Sequence, residues 1–142
     1  MLYRHPTAVL RSQQRRRGRH AVPYLLPAAM FGWEPANEPL ISLDAYMCKV
    51  LDTYYQRMLL MARQDANTLL LNYNLGPLPI LEQFCAFTGT RLPASLLEEA
   101  YTRSRYHGKY PGALFTPYLP LQNPPPFLQA ALESYAQLVT IA

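Results

Sequence analysis

Charged residues are scarce in this chain, and so are cysteine and glycine. Only 15% of the residues carry a charge, too few for a disordered polyelectrolyte. The two cysteines, Cys48 and Cys85, have no CxxC partner and no signal peptide ahead of them, which predicts free, mostly buried thiols in a reducing compartment. No apolar run approaches the ~20 residues that a membrane-spanning helix needs. These absences favour a soluble, cytoplasmic protein.

Acidic residues are missing from the first part of the chain. Residues 1–33 contain six arginines and no aspartate or glutamate, whereas the remainder carries seven basic and nine acidic residues. The net charge of +4 is therefore a local property of the N-terminal segment. A local anion site explains this asymmetry better than a general attraction to nucleic acid or to a membrane surface.

Hydrophobic spacing and turn-forming residues predict two strands among several helices. In the first half they predict a short extended stretch at 2–4, a helix over 6–17, a proline-rich loop at 20–41 and a long helix from Ser42, its N-cap, to about residue 63. In the second half they predict a buried strand over 68–73, a helix from Pro77 to just before Gly89, a helix from Ser95, its N-cap, to about residue 105, an aromatic loop over 107–123 and a last helix from Pro124 to about residue 139.

Two strands, one of them very short, do not make a self-sufficient sheet. Strands that alternate with helices are typical of a parallel α/β sheet. We therefore expect residues 1–142 to form one portion of an α/β domain, mostly helical as it stands, with most of its sheet missing. Because unpaired strand edges recruit other chains, we also expect the isolated chain to self-associate.

Arg4 stands where the first strand should end and a helix should begin. Pro6 fits the first helical position, so a fixed guanidinium lies beside exposed backbone N–H donors, a favourable setting for a phosphate group. Ser12 lies two turns into that helix, ~9 Å along its axis. The sequence therefore predicts that Arg4 and Ser12 meet over one anion.

Residues 3–6, Tyr-Arg-His-Pro, with a serine eight residues after the arginine, resemble the 3′-phosphate motif of sulfotransferases that use PAPS (3′-phosphoadenosine 5′-phosphosulfate). Residues 13–23, 69–73 and 105–112 are similar to bacterial members of this family. The resemblance covers most of the chain, and its specific part is the first motif. It implies a P-loop NTPase-like parallel-sheet fold and the transfer of a sulfuryl group from PAPS, a small-molecule nucleotide, to a hydroxyl or amine of an acceptor that the sequence does not identify.

The resemblance implies that Arg4 and Ser12 bind the 3′-phosphate of PAPS. The family supplies further basic residues from a later loop, for which Arg103, Arg105 and Lys109 are the candidates here, although the family's Arg-Lys-Gly triplet is not present.

The family's phosphosulfate loop, with its transition-state lysine, and its usual catalytic base both precede the arginine–serine motif. Charge that develops on the transferred group needs fixed cations. We therefore expect a C-terminal sulfotransferase portion without its phosphosulfate-binding half, inactive alone and with no catalytic residue.

A non-catalytic helical module is the alternative. The arginines at 15, 16, 17 and 19 form a solvated helix end favoured by the dipole, or they dock on an acidic partner or RNA. Binding to many different partners that weakens steeply as the salt concentration rises would favour this module. Selective binding of 3′,5′-bisphosphates would favour the sulfotransferase. The three histidines show no metal-ligand spacing, so no metal site is predicted.

Overall fold

The structure is a computed structural model that describes residues 1–15, 22–23, 25–31, 42–107, 110–114 and 121–142. Five α-helices and four short strands are found within these ranges. In chain order they are β1 (Leu2–Tyr3), α1 (Pro6–Arg15), α2 (Leu43–Gln64), β2 (Leu71–Asn72), α3 (Pro77–Thr88), α4 (Ala94–Ser104), β3 (Tyr106–His107), β4 (Tyr110–Leu114) and α5 (Gln129–Ile141).

The long helix α2 organises the core, as its apolar stripe predicted. The Oγ atom of Ser42 accepts the N–H of Ala45 at 3.1 Å, which confirms Ser42 as the N-cap. Helix α2 packs against α5 and α1. The main core cluster consists of buried side chains from these helices, from β1 and from the residues just before β2 and α5, namely Tyr3, Leu10, Met47, Cys48, Leu51, Tyr55, Leu59, Leu70, Leu128, Ala131 and Leu138.

Strands β1 and β2 pair in parallel, with Leu2 opposite Leu71 and Tyr3 opposite Asn72. The sequence predicted a strand over 68–73, but only two of those residues are in β2. The Oδ1 atom of Asn72 accepts the N–H of Asn74 at 3.0 Å, and this side-chain turn directs residues 73–75 into a 3₁₀ turn. An asparagine that bonds its own backbone two residues on competes with a sheet ladder in this way.

The two helices after β2 differ in how well the sequence predicted their ends. Gly89 closes α3 in the left-handed region with φ of 68°, as expected of a helix-ending glycine. Ser95, however, is not the N-cap of α4. The carbonyl oxygen of Pro93 already accepts the N–H groups of Leu96 and Leu97 at 3.0 and 3.3 Å, so the helix begins at Ala94, one residue before the expected cap.

The segment predicted as an aromatic loop over 107–123 contains strands instead. β3 and β4 pair antiparallel, with an irregular register between Tyr106 and His107. Residues 108–109 and 115–120 of this prediction lie outside the described part of the chain. The last helix starts later than predicted because Pro124 and Pro125 each precede a proline, which disfavours helical backbone, and Pro125 is extended with ψ of 149°. A 3₁₀ turn at Pro126–Leu128 comes first, and α5 follows.

The chain is thus mostly helical and includes a two-stranded parallel sheet, consistent with the α/β class. Both cysteines are free thiols, Cys48 buried and Cys85 partly so. In the described ranges, every helix is too short or too polar to cross a lipid bilayer.

Candidate functional site

A pocket of about 270 Å³ opens between the β1–α1 corner and the middle of α2. Its floor consists of buried side chains and its rim of exposed ones, with half-buried groups between them. Among the described residues that line it, Arg4 alone is charged. The lining consists of Leu2, Tyr3, Arg4, Val9, Leu51, Tyr54, Tyr55, Met58 and Tyr73.

The pocket includes the residues that directly follow both parallel strands. Arg4 comes after β1, and Tyr73 comes after β2. In open α/β sheets the carboxyl ends of parallel strands are where ligands bind, because the chain leaves the sheet there and its side chains surround a crevice. The sequence predicted that Arg4 ends the first strand; in the structure β1 ends at Tyr3, and Arg4 is the residue after it.

Two tyrosines hold Arg4 from different elements. Its guanidinium carbon lies 4.9 Å from the ring centroid of Tyr73, which is a cation–π contact. The hydroxyl of Tyr55 on α2 donates a hydrogen bond to the main-chain carbonyl of Arg4. Burial raises the pKa of the Tyr55 phenol above its usual range, so this donor stays protonated. Both ends of the arginine are therefore fixed at the pocket.

His5 caps α1 with its own ring and carbonyl. Its Nδ1 atom accepts the N–H of Thr7 at 3.3 Å, and its carbonyl oxygen accepts those of Ala8 and Val9 at 3.0 and 3.2 Å. Thr7 and Ala8 are buried. The prediction that a phosphate would meet exposed N–H donors here is wrong, because the N–H groups of the first turn of α1 already donate to His5.

Ser12 is half-buried on α1 and does not line the pocket. It lies three residues beyond Val9, on nearly the same side of the helix. The structure thus places Ser12 about one helical turn beyond Val9, the residue of α1 that borders the pocket.

The later basic residues lie on a different part of the fold. Arg103, in the last turn of α4, pairs with Glu99 at 2.6 Å and is exposed. Arg105 is the C-cap of α4 and is also exposed. Helix α4 packs mainly on α3 and β3, and neither arginine lines the pocket. Lys109 lies outside the described residues.

Most of the pocket was not predicted as a site. Leu51, Tyr54 and Met58 belong to the apolar stripe of α2, which the sequence predicted to be core. Core and pocket positions share one helix face, so spacing alone does not separate them. Tyr73 was expected to end a strand, and no sequence signal indicates its stacking on Arg4.

Tyr135 on α5 ties the pocket's surroundings together. Its hydroxyl accepts hydrogen bonds from the side-chain amides of Asn72 and Asn74 at 3.4 and 2.9 Å. Its ring meets those of His5 and Tyr3 edge-on, with centroids 5.0 and 5.8 Å away. The ends of both parallel strands and the start of α1 are therefore fixed against the C-terminal helix.

The hydrogen bond that His5 Nδ1 accepts predicts that the stability of the protein depends on pH. Burial lowers its pKa below the ordinary 6.5, and a protonated Nδ1 cannot accept the Thr7 N–H. The unfolded chain therefore takes up the proton first, so the free energy of unfolding is highest above about pH 6.5 and falls as the pH drops towards the folded pKa.

His5→Asn keeps an N-cap acceptor that does not titrate. Urea unfolding at about pH 7.5 and about pH 5 should show a smaller acid loss for this variant than for the original chain. The other two histidines are the same in both proteins, so the difference isolates His5. Equal losses in the two proteins would contradict its capping role.

Cys48 is not suited to nucleophilic chemistry. Burial and the nearby Asp44 raise the pKa of the Cys48 thiol to about 12, so it is not a thiolate nucleophile at neutral pH. No group of three metal-ligating side chains occurs among the described residues. The pocket offers one fixed cation beside aromatic and aliphatic walls.

Comparison of the chain with protein-family models, curated proteins and solved structures finds no match. The resemblance to sulfotransferases remains a prediction from the sequence.

Proposed function

We propose that this chain binds the 3′-phosphate side of a PAPS-type nucleotide, with Arg4 as the principal phosphate ligand. The observation that carries the proposal is the position of Arg4, which directly follows a parallel strand and lines a pocket at its end. Ser12 is the proposed second ligand. In a complete enzyme this portion would hold PAPS while a sulfuryl group passed to a hydroxyl or amine.

The surroundings of Arg4 support a modest affinity. A charge-assisted contact from a half-buried guanidinium contributes ~1.5–3 kcal/mol, and stacking on Tyr73 limits the freedom lost on binding. The N–H groups at the start of α1 add nothing while His5 occupies them. Arg103, Arg105 and Lys109 contribute only if the C-terminal end of α4 and the residues after it reach the nucleotide.

We expect calorimetric titration with adenosine 3′,5′-bisphosphate to show weak binding that Arg4→Ala reduces by ~1.5–3 kcal/mol, because a charged donor is lost. Ser12→Ala should weaken the binding free energy by ~0.5–1.5 kcal/mol, since it removes a neutral hydrogen-bond donor. Adenosine 5′-phosphate, which lacks the 3′-phosphate, should bind more weakly and be less sensitive to Arg4→Ala.

Arg63→Ala is the matched control, because Arg63 is exposed at the end of α2, where it contacts Gln137 on α5 at 3.4 Å. It should bind the bisphosphate like the original chain. Arg16→Ala tests the arginine-rich helix of the alternative module, and added salt should weaken any effect it has. Normal binding by Arg4→Ala together with a large loss in Arg16→Ala would refute the assignment of Arg4 and favour the alternative.

A further inference from the structure

The walls of the pocket have a chemistry that a ribose phosphate does not match well. Apart from the Arg4 guanidinium and tyrosine hydroxyls, the lining is made of aliphatic and aromatic carbon. Tyr3 and Tyr55 on the floor are 3% and 2% exposed, and a ring that covers the apolar lining displaces water from it. Sugar hydroxyls lose hydrogen bonds in such surroundings, whereas an apolar ring gains from them.

The size of the pocket limits what enters it. Its volume of about 270 Å³ lies just below the ~300–1,000 Å³ of sites for drug-sized ligands. One aromatic ring with a single substituent is a suitable occupant, whereas a whole nucleotide extends beyond it. Arg4 is the charged group in the lining, which favours a substituent with one negative charge centre.

We propose that this pocket binds a small aromatic anion, with the ring between Tyr54, Met58 and Tyr73 and the anionic group on the guanidinium of Arg4. The inference rests on the proposed role of Arg4 as an anion ligand and extends it to a second ligand class. Such an anion competes with the nucleotide phosphate, because both use the same arginine.

The contact between Arg4 and Tyr73 is compatible with this ligand. The guanidinium carbon of Arg4 lies over the ring of Tyr73, and a guanidinium carries its N–H donors in a planar fork that matches carboxylate, sulfate and phosphate oxygens. Met58 is half-buried and has a flexible thioether, which adapts to the edge of an aromatic ring. The charged part of the ligand thus stays at the pocket's edge while its ring covers apolar side chains.

Phenyl phosphate and methyl phosphate test the idea, because they carry the same anionic group and differ in the ring. We expect phenyl phosphate to bind about tenfold more tightly than methyl phosphate, the gain from burying part of one ring. It should also displace adenosine 3′,5′-bisphosphate in a competition titration. Equal affinity of the two esters would overturn the inference.

Two variants assign the binding to the pocket. Met58→Trp fills the space, so it should remove the preference for phenyl over methyl phosphate, whereas Leu60→Trp, at an exposed position on the same helix, should keep it. Arg4→Met keeps the apolar stem and removes the charge, so it should weaken both esters, and the exposed Arg63→Met should weaken neither. If Met58→Trp does not fold, the Arg4→Met pair and the two esters still decide the outcome.

The outcomes separate the two proposals. Arg4-dependent binding of adenosine 3′,5′-bisphosphate without any preference for phenyl phosphate would leave the proposed function standing and overturn the aromatic pocket. Binding of every probe unchanged by Arg4→Met would overturn both, because each assigns the anion to that guanidinium.

Discussion

Replacing Leu138 by alanine should lower the free energy of unfolding by about 2–5 kcal/mol. Leu138 is fully buried, at 0% exposure, in the core formed by α5, α2 and the strands. The substitution removes apolar contacts and leaves a cavity that a close-packed interior fills only in part. Urea denaturation followed by circular dichroism measures the change as a lower midpoint with an unchanged slope.

Leu60→Ala is the matched control, because the same atoms are removed from a helical leucine that is 53% exposed. Leu60→Ala should change the free energy of unfolding by no more than about 0.5 kcal/mol, as is usual for surface positions. Similar costs for the two variants would mean that α5 does not cover the core in solution. The whole packing scheme around α2 depends on this difference.

The longest element was also the best predicted. Helix α2 follows from an uninterrupted apolar stripe and from Ser42, whose side chain caps it. The end of α3 follows from Gly89, whose missing Cβ permits the left-handed turn. In both cases the deciding interaction is local, so the residues that specify it are neighbours in the sequence.

Predictions failed where two local signals competed. Asn72 ends β2 early because its side chain bonds the backbone of Asn74, although the apolar run on its own indicates a longer strand. Pro93 begins α4 before Ser95 can cap it. The β3–β4 hairpin was missed because its pairing joins short segments without clear alternation.

The sequence predicted the position of Arg4 to within one residue of the strand end but missed the residues around it. It put Arg4 at the end of the first strand, which ends at Tyr3. The use of His5 as the cap of α1 was missed, because a histidine ring seldom serves as an N-cap and its contact with Tyr135 joins distant parts of the chain. Contacts of this kind, and the Arg4–Tyr73 stack, depend on the packed fold rather than on spacing.

Tyr55 should be the position at which stability and binding change together. Tyr55→Ala should lower the free energy of unfolding by about 3–5 kcal/mol, because it removes a ring that is 2% exposed from both the core and the pocket floor. Tyr55→Phe keeps the ring but removes the hydrogen bond to the Arg4 carbonyl, and an acceptor left without its donor costs about 1–3 kcal/mol.

The phenylalanine variant separates the hydroxyl from the ring. Because the hydroxyl fixes the main chain of Arg4, Tyr55→Phe should weaken binding of adenosine 3′,5′-bisphosphate even at temperatures where the protein remains fully folded. Tyr101→Phe, at an exposed position on α4, removes the same atom and should change neither stability nor binding. Thermal unfolding and calorimetric titration of the three proteins measure the two effects. A Tyr55→Phe variant that lost stability but bound normally would show that Arg4 keeps its position without this hydrogen bond, and the stack on Tyr73 would then be the contact that holds it.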